Sequence, residues 1–199
     1  MTITKFSFPT TIHFGPGARK LVGEHLNSMG LKRPLIVTDK GLGALPLIAD
    51  MMAALKSAGQ SPAVYAGIWG NPVGSQVMNG AAAYKAHDAD CVVGIGGGAA
   101  LDVAKVVGLM ATRPGDVMEY VWDHPKVRAI DRPLPHFVAL PTTSGTGSEV
   151  GRSSVISEEE SHVKRVIFSP GAAMSTAIMD HERSSTSMIS MPGVSVSTW

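Results

Sequence analysis

Cysteine is almost missing from this chain: among 199 residues only Cys91 carries a thiol, so no internal disulfide can form. Followed by Val92 and Val93, it reads as a small buried hydrophobe rather than a reactive thiol, and a reducing, cytoplasmic setting is expected. Long apolar runs are missing too. No stretch of about 18 apolar residues and no apolar leader at the N-terminus appear, which argues against membrane spanning and secretion. Charge of one sign is also scarce. The 17 Lys+Arg nearly balance the 16 Asp+Glu, and no cationic cluster tracks a phosphate backbone, so no nucleic-acid partner is expected. Aromatics make up only 6% while glycines number 22, which favours tight turns and an α/β build.

The rest of the chain is organised around Cys91 to Met110, CVVGIGGGAALDVAKVVGLM. The apolar run Cys91–Val93 suits a strand buried on both faces. Gly94, Gly96, Gly97 and Gly98 follow, and then a helical pattern in which Leu101, Ala104, Val107 and Gly108 can face a sheet. A strand passing through glycines into a helix start can hold an anion. The first N–H groups of the helix lack partners, the macrodipole is positive there, and no Cβ blocks a diphosphate. Gly94-x-Gly96-x-x-Ala99 formally fits the dinucleotide fingerprint, although a tight strand-to-helix turn needs the same residues.

Taken in order, the chain opens with Met1 to Phe14, an edge strand or hairpin interrupted by Pro9. Helical spacing covers Ala18 to Met29, stopped by Gly30, and Leu47 to Ala58, stopped by Gly59. Pro34 to Thr38 and Ala63 to Tyr65 read as strands, and Ser75 to His87 as a helix before the organising stretch. Such alternation implies parallel strands, right-handed crossovers and ligands at the carboxyl edge of the sheet, where Asp39, Asn71 and Gly96–Gly98 would converge. Past a polar connection with a short helix at Asp116–Tyr120, the strand His136–Leu140 runs into Pro141-Thr142-Thr143-Ser144-Gly145-Thr146-Gly147-Ser148-Glu149-Val150. This hydroxyl-rich loop suits a ligand, and equally a Ser/Thr-stabilised turn. Val155–Ser157 and Val163–Phe168 flank a charged turn as a hairpin, and Ala177–Met179 forms one more short strand. From Ser184 to Trp199 no Asp, Glu, Lys or Arg occurs, and no period survives, so an irregular tail is expected over residues 183–199.

These motifs together resemble the iron-containing (group III) alcohol dehydrogenases of the dehydroquinate synthase-like superfamily. The resemblance is carried by Phe14-Gly15-Pro16-Gly17-Ala18, Val37-Thr38-Asp39-Lys40-Gly41, Gly96-Gly97-Gly98-Ala99-x-x-Asp102-x-x-Lys105 and the Pro141–Glu149 loop. Lys164 before an apolar strand and Ser169-Pro170 continue it, over roughly residues 3 to 182. One departure is Ala99, where the family usually has serine; a hydroxyl is lost but the backbone donors remain.

The resemblance implies a doubly wound, mostly parallel Rossmann-like domain over residues 1–182, with a late β-hairpin and without the family's C-terminal all-helical, metal-carrying domain. It implies that Asp39 accepts the adenosine ribose hydroxyls and favours NAD over NADP, and that Asn71 lines the cofactor groove. Gly96, Gly97, Gly98, Ala99 and Ala100 would line the pyrophosphate. Thr142, Thr143 and Thr146 would hold the adenine side and the ribose nearest the nicotinamide, and Lys164 would reach a ribose hydroxyl. Asp102 and Lys105 suit a structural role, a first-turn carboxylate with its i, i+3 partner.

Family members bind Fe²⁺, sometimes Zn²⁺, through one aspartate and three histidines. Thr198 stands where that aspartate is expected, and the three histidines belong to the helical domain. The seven histidines here, His13, His25, His87, His124, His136, His162 and His181, form no ligand-spaced pair and fall on separate elements, so no metal site is expected within this chain. Asp180-His181-Glu182 is compact, but sequence neighbours rarely converge on one ion. The ending at Trp199 is consistent with a truncated or frame-shifted form, or with a natural short variant.

The expected function is therefore the cofactor half of an NAD-dependent, metal-dependent enzyme that oxidises a small alcohol or reduces an aldehyde. The chain alone is expected to bind dinucleotide weakly, not to turn over, and to form a homo-oligomer. The alternative is a stand-alone nucleotide-binding or interaction module without catalysis.

Overall fold

Short β-branched runs bounded by glycine turns and separated by amphipathic helices build a parallel sheet. The computed structural model describes residues 10–168 and 176–179. Its strands are β1 (Thr11–Phe14), β2 (Pro34–Asp39), β3 (Ala63–Ile68), β4 (Cys91–Gly96), β5 (His136–Pro141), β6 (Ser153–Ser157), β7 (Lys164–Phe168) and β8 (Thr176–Met179). Its helices are α1 (Leu21–Ser28), α2 (Lys40–Gly43), α3 (Pro46–Ser57), α4 (Gly74–His87) and α5 (Gly98–Thr112). Short 3₁₀ turns at Ala18–Lys20 and Val117–Tyr120 complete the set.

Six strands form one sheet in the order β1-β8-β5-β4-β2-β3, and every pair runs parallel. The doubly wound reading thus holds. From β2 the chain moves outward to β3, then returns over β2 to β4 and on to β5. The winding reverses between β2 and β4, which is where open α/β sheets form their ligand crevice. Of the segment before Gly15, the described part, Thr11–Phe14, is an edge strand parallel to β8. Met1 to Pro9, Ser169-Pro170 and everything after Met179, the expected tail included, lie outside the described residues.

Period-two alternation sends successive strand residues to two separate cores. Leu35, Val37, Val92, Phe137 and Ala139 face α4, α5 and the β6–β7 hairpin. Ile36, Cys91, Val93, Val138 and Leu140 face α1 and α3. Each fully buried Val, Leu or Ile adds about 1.5–3 kcal/mol, so both faces must stay covered. Cys91 lies fully buried, as expected, and burial pushes its thiol well above the usual range. A Cβ at Gly94 would sit 2.9 Å from the Ala104 Cβ, so α5 rests directly on β4.

The antiparallel hairpin pairs Ser153 with Phe168 and Ser157 with Lys164. His162, expected in its turn, adopts φ 56°. The hairpin is tied to the sheet's carboxyl side where Ser157 N–H donates to the Pro72 carbonyl at 2.7 Å. No helix among the described residues is long and apolar enough to cross a membrane.

Candidate functional site

The site is built around the N-terminus of α5. Gly97 caps that helix in an extended conformation, no side chain caps it, and no acidic residue occupies its first turn. The early N–H groups of a 15-residue helix are thus left for a ligand to meet. Space for that ligand depends on missing side chains. A Cβ at Gly98 would lie 2.8 Å from Thr146 Cγ2, and one at Gly97 3.2 Å from Thr143 Oγ1. The hydroxyl-rich loop after β5 therefore folds back onto the glycine loop, anchored where Thr142 N–H donates to the Gly96 carbonyl at 3.0 Å. Gly96 itself is buried behind the loop with φ 147°, and a Cβ there would meet the Ala100 Cβ at 2.6 Å.

Asp39 ends β2 and caps α2, its Oδ1 accepting from Leu42 N–H at 2.8 Å. Its Oδ2 lies 3.4 Å from where a Gly96 Cβ would be, so the carboxylate sits at the reversal point beside the glycine loop. The short helix α2 escaped the sequence pattern because four residues are too few for a helical period.

Two cavities flank the start of α5. One, of about 380 Å³, is lined by Asp39, Lys40, Gly41, Trp69, Gly97, Ala99 and Ala100 among others. The other, of about 460 Å³, is lined by Asn71, Gly98, Ala99, Asp102, Thr146, Ser148 and Lys164 among others. Ala99 belongs to both walls. Asp39, Asn71, Gly97, Gly98, Ala99, Ala100, Thr146 and Lys164 thus share one continuous edge, with Thr143 against Gly97. Thr142 lines a separate small recess with Arg19, Leu47 and Ile178.

Asp102 and Lys105 hold this edge together. Asp102 is 9% exposed; its Oδ1 accepts from the Ser148 hydroxyl and its Oδ2 from Val155 N–H at 3.0 Å. Lys105 Nζ lies 3.1 Å from Asp102 Oδ1 and donates to the Ser148 and Ser153 carbonyls at 3.1 and 2.6 Å. Burial lowers the Lys105 pKa, and the Asp102 charge opposes that shift. The pair staples the hydroxyl loop and β6 onto α5, a structural role as expected, although Asp102 lies past the first turn in which it was expected. Trp69, Ser153, Val155 and Ser157 also line the cavities, and sequence reasoning missed them. Only the hairpin register and the turn after β3 bring them there.

A family model described as "Iron-containing alcohol dehydrogenase" matches residues 9–181 of the chain. The chain belongs to this family. It is 37% identical over 174 residues to the 1,3-propanediol dehydrogenase of Klebsiella pneumoniae, covering 86% of this chain and 44% of that protein. It is 33% identical over 180 residues to the NAD-dependent methanol dehydrogenase of Bacillus methanolicus, covering 90% and 46%. Among solved structures, a 1,3-propanediol oxidoreductase superposes with a TM-score of 0.81 at 35% identity, over 90% of this chain and 46% of that one. A sulfoacetaldehyde reductase from Bifidobacterium kashiwanohense, solved in complex with NAD+, does so with a TM-score of 0.81 at 28% identity, over 92% and 48%. The chain spans a little under half the length of these relatives.

The chain's donors suit the family's two prosthetic partners unequally. The glycine cradle that a Cβ would fill, the uncapped helix and the Asp39 carboxylate fit a dinucleotide. Among the described residues no three His, Cys, Asp or Glu side chains are placed to hold a metal ion. Thr198 and Asp180-His181-Glu182 lie outside the described residues. The histidines do not stay apart as their separate elements suggested. His25 Nε2 and His136 Nε2 lie 2.9 Å apart, and the His13 ring stands edge-on to His25 with centroids 6.4 Å apart.

Proposed function

We propose that this chain forms the NAD-binding half of an alcohol dehydrogenase, which moves hydride between the carbinol carbon of a small alcohol and the nicotinamide ring. One observation carries the reading: two cavities of nucleoside size meet at the N-terminus of α5 and share Ala99 as a wall. A mononucleotide needs one such cavity, whereas a dinucleotide needs two joined by an anion site.

In this reading the N–H groups of the Gly97–Ala100 turn hold the diphosphate. Asp39 Oδ2 accepts from a ribose hydroxyl in the smaller cavity, while Oδ1 stays committed to Leu42 N–H. The same negative charge repels a 2′-phosphate, so NAD is preferred over NADP. In the larger cavity the Lys164 ammonium donates to the second ribose, and Asn71 and Thr146 orient it. Thr143 backs the glycine loop. Bound NAD+ supplies the hydride acceptor. This chain's residues hold it, turn it and shield its diphosphate from water. The Fe²⁺ or Zn²⁺ of a complete enzyme finds no ligand set among the described residues. A cytoplasmic homo-oligomer acting on a small alcohol or aldehyde completes the proposal. The 199-residue chain alone binds the cofactor weakly and does not turn over.

Titration of the chain with NADH and NADPH by calorimetry tests this. Saturable NADH binding, with NADPH at least about tenfold weaker and Asp39→Ala closing that gap, is the expected result. No binding of NADH at millimolar concentration removes the reading.

A further inference from the structure

Strand β3 ends in Ile68, which is 1% exposed, and the next residue, Trp69, is 68% exposed. A lone exposed tryptophan is ordinary on a protein surface. The backbone of this one is held in place. Its carbonyl accepts from Gln76 Nε2 at 2.9 Å; Gln76 is 4% exposed, and its own carbonyl accepts from the Tyr65 hydroxyl at 2.7 Å. Gly70 then turns the chain with φ 61°, so that Trp69 lines the cavity of Asp39 and Asn71 the cavity of Lys164. Trp122, equally exposed at 68%, lines none of the cavities described above.

The smaller cavity thus offers a carboxylate, helix N–H groups and an indole on an anchored backbone within one space. Their chemistry matches a ribose hydroxyl, a diphosphate and a planar heteroaromatic ring. We infer that Trp69 is the stacking wall for the purine of the nucleoside whose ribose Asp39 receives. This rests on the dinucleotide reading above. Stacking of a base on an aromatic side chain is sequence-tolerant and substantial, so removing the indole weakens binding about tenfold.

The test uses the full 199-residue chain and its Trp69→Leu, Trp69→Phe and Trp122→Phe variants, each checked for folding by circular dichroism. ADP, nicotinamide mononucleotide and NADH are titrated by calorimetry. Trp69→Leu is expected to weaken ADP and NADH alike by about tenfold and to leave nicotinamide mononucleotide unchanged. Trp69→Phe recovers most of the loss, and Trp122→Phe binds as the parent does. Quenching of tryptophan fluorescence by ADP persists in Trp122→Phe and disappears in Trp69→Phe. Unchanged ADP binding by Trp69→Leu overturns the inference and leaves the dinucleotide reading standing. A loss confined to nicotinamide mononucleotide overturns the purine assignment. If the parent chain binds neither ADP nor NADH, both fall together.

Discussion

At the carboxyl edge of the sheet the groups proposed to hold the cofactor belong largely to the backbone, whereas beside the first residue of β5 three imidazoles from distant elements meet. The cradle at Gly97 and Gly98 works through absent side chains and aligned N–H groups, with a few side chains (Asp39, Thr146, Lys164) placed around it. The histidine group works only through side chains. His25 from α1 meets His136 from β5 at 2.9 Å, and two neutral rings can share one proton at that distance only in complementary tautomers. A backbone site tolerates changes around it and fails when a Cβ enters. A side-chain site tolerates backbone changes and responds to protonation.

The largest expected effect breaks the framework that both cavities depend on. Asp102→Ala leaves Lys105 buried without its partner and frees Ser148 of the hydroxyl loop and Val155 of β6 from α5. A loss of about 3–5 kcal/mol in unfolding free energy is expected from urea titration. If stability changes by less than about 1 kcal/mol, the staple is not what holds the loop.

Next in size is the cradle itself. Gly98→Val drives a side chain into Thr146, where even a Cβ has only 2.8 Å. NADH affinity is expected to drop about a hundredfold, roughly 2.8 kcal/mol, with far-UV dichroism unchanged. Undiminished binding would show that the diphosphate lies elsewhere.

The smallest effect sharpens the contrast at the histidines. Burial, helped by the neighbouring His25, lowers the His136 pKa from 6.5; burial, helped by His13, lowers that of His25. Both rings are thus held neutral in the folded chain. The unfolded chain binds more protons below pH 6.5, so stability is full above that pH and falls as the pH drops toward the depressed folded values. His136→Phe should flatten this slope in melting temperatures between pH 7.5 and 5.5, a window chosen about one unit either side of the ordinary histidine value. NADH affinity at pH 7.5 should stay put, because none of the cavities that meet at Ala99 includes these rings. An unchanged slope in the variant would trace the acid sensitivity to other groups.

Much of this was legible along the chain. The run Cys91–Val93 and the glycines after it announced a buried strand feeding a helix, because strand and helix periods are local and glycine marks the one turn that joins them closely. The hydroxyl loop was visible for the same reason. Trp69 was not, since nothing local distinguishes an exposed tryptophan from one anchored through the buried Gln76. Nor were the histidines, whose spacing of 111 residues between His25 and His136 carries no pattern.

The sequence by itself determined which segments become strands and helices, where the glycine turn before α5 lies, and that Asp39 stands at a strand end. These follow from backbone sterics and from hydrophobic period, which act over a few residues. Only the tertiary structure decided that Ala99 separates two cavities, that Thr142 lines a third recess, and that Lys105 spends its charge on carbonyls of two other segments. Those outcomes depend on which side chains remain closest once two hydrophobic faces have been covered, a competition among groups far apart in the chain.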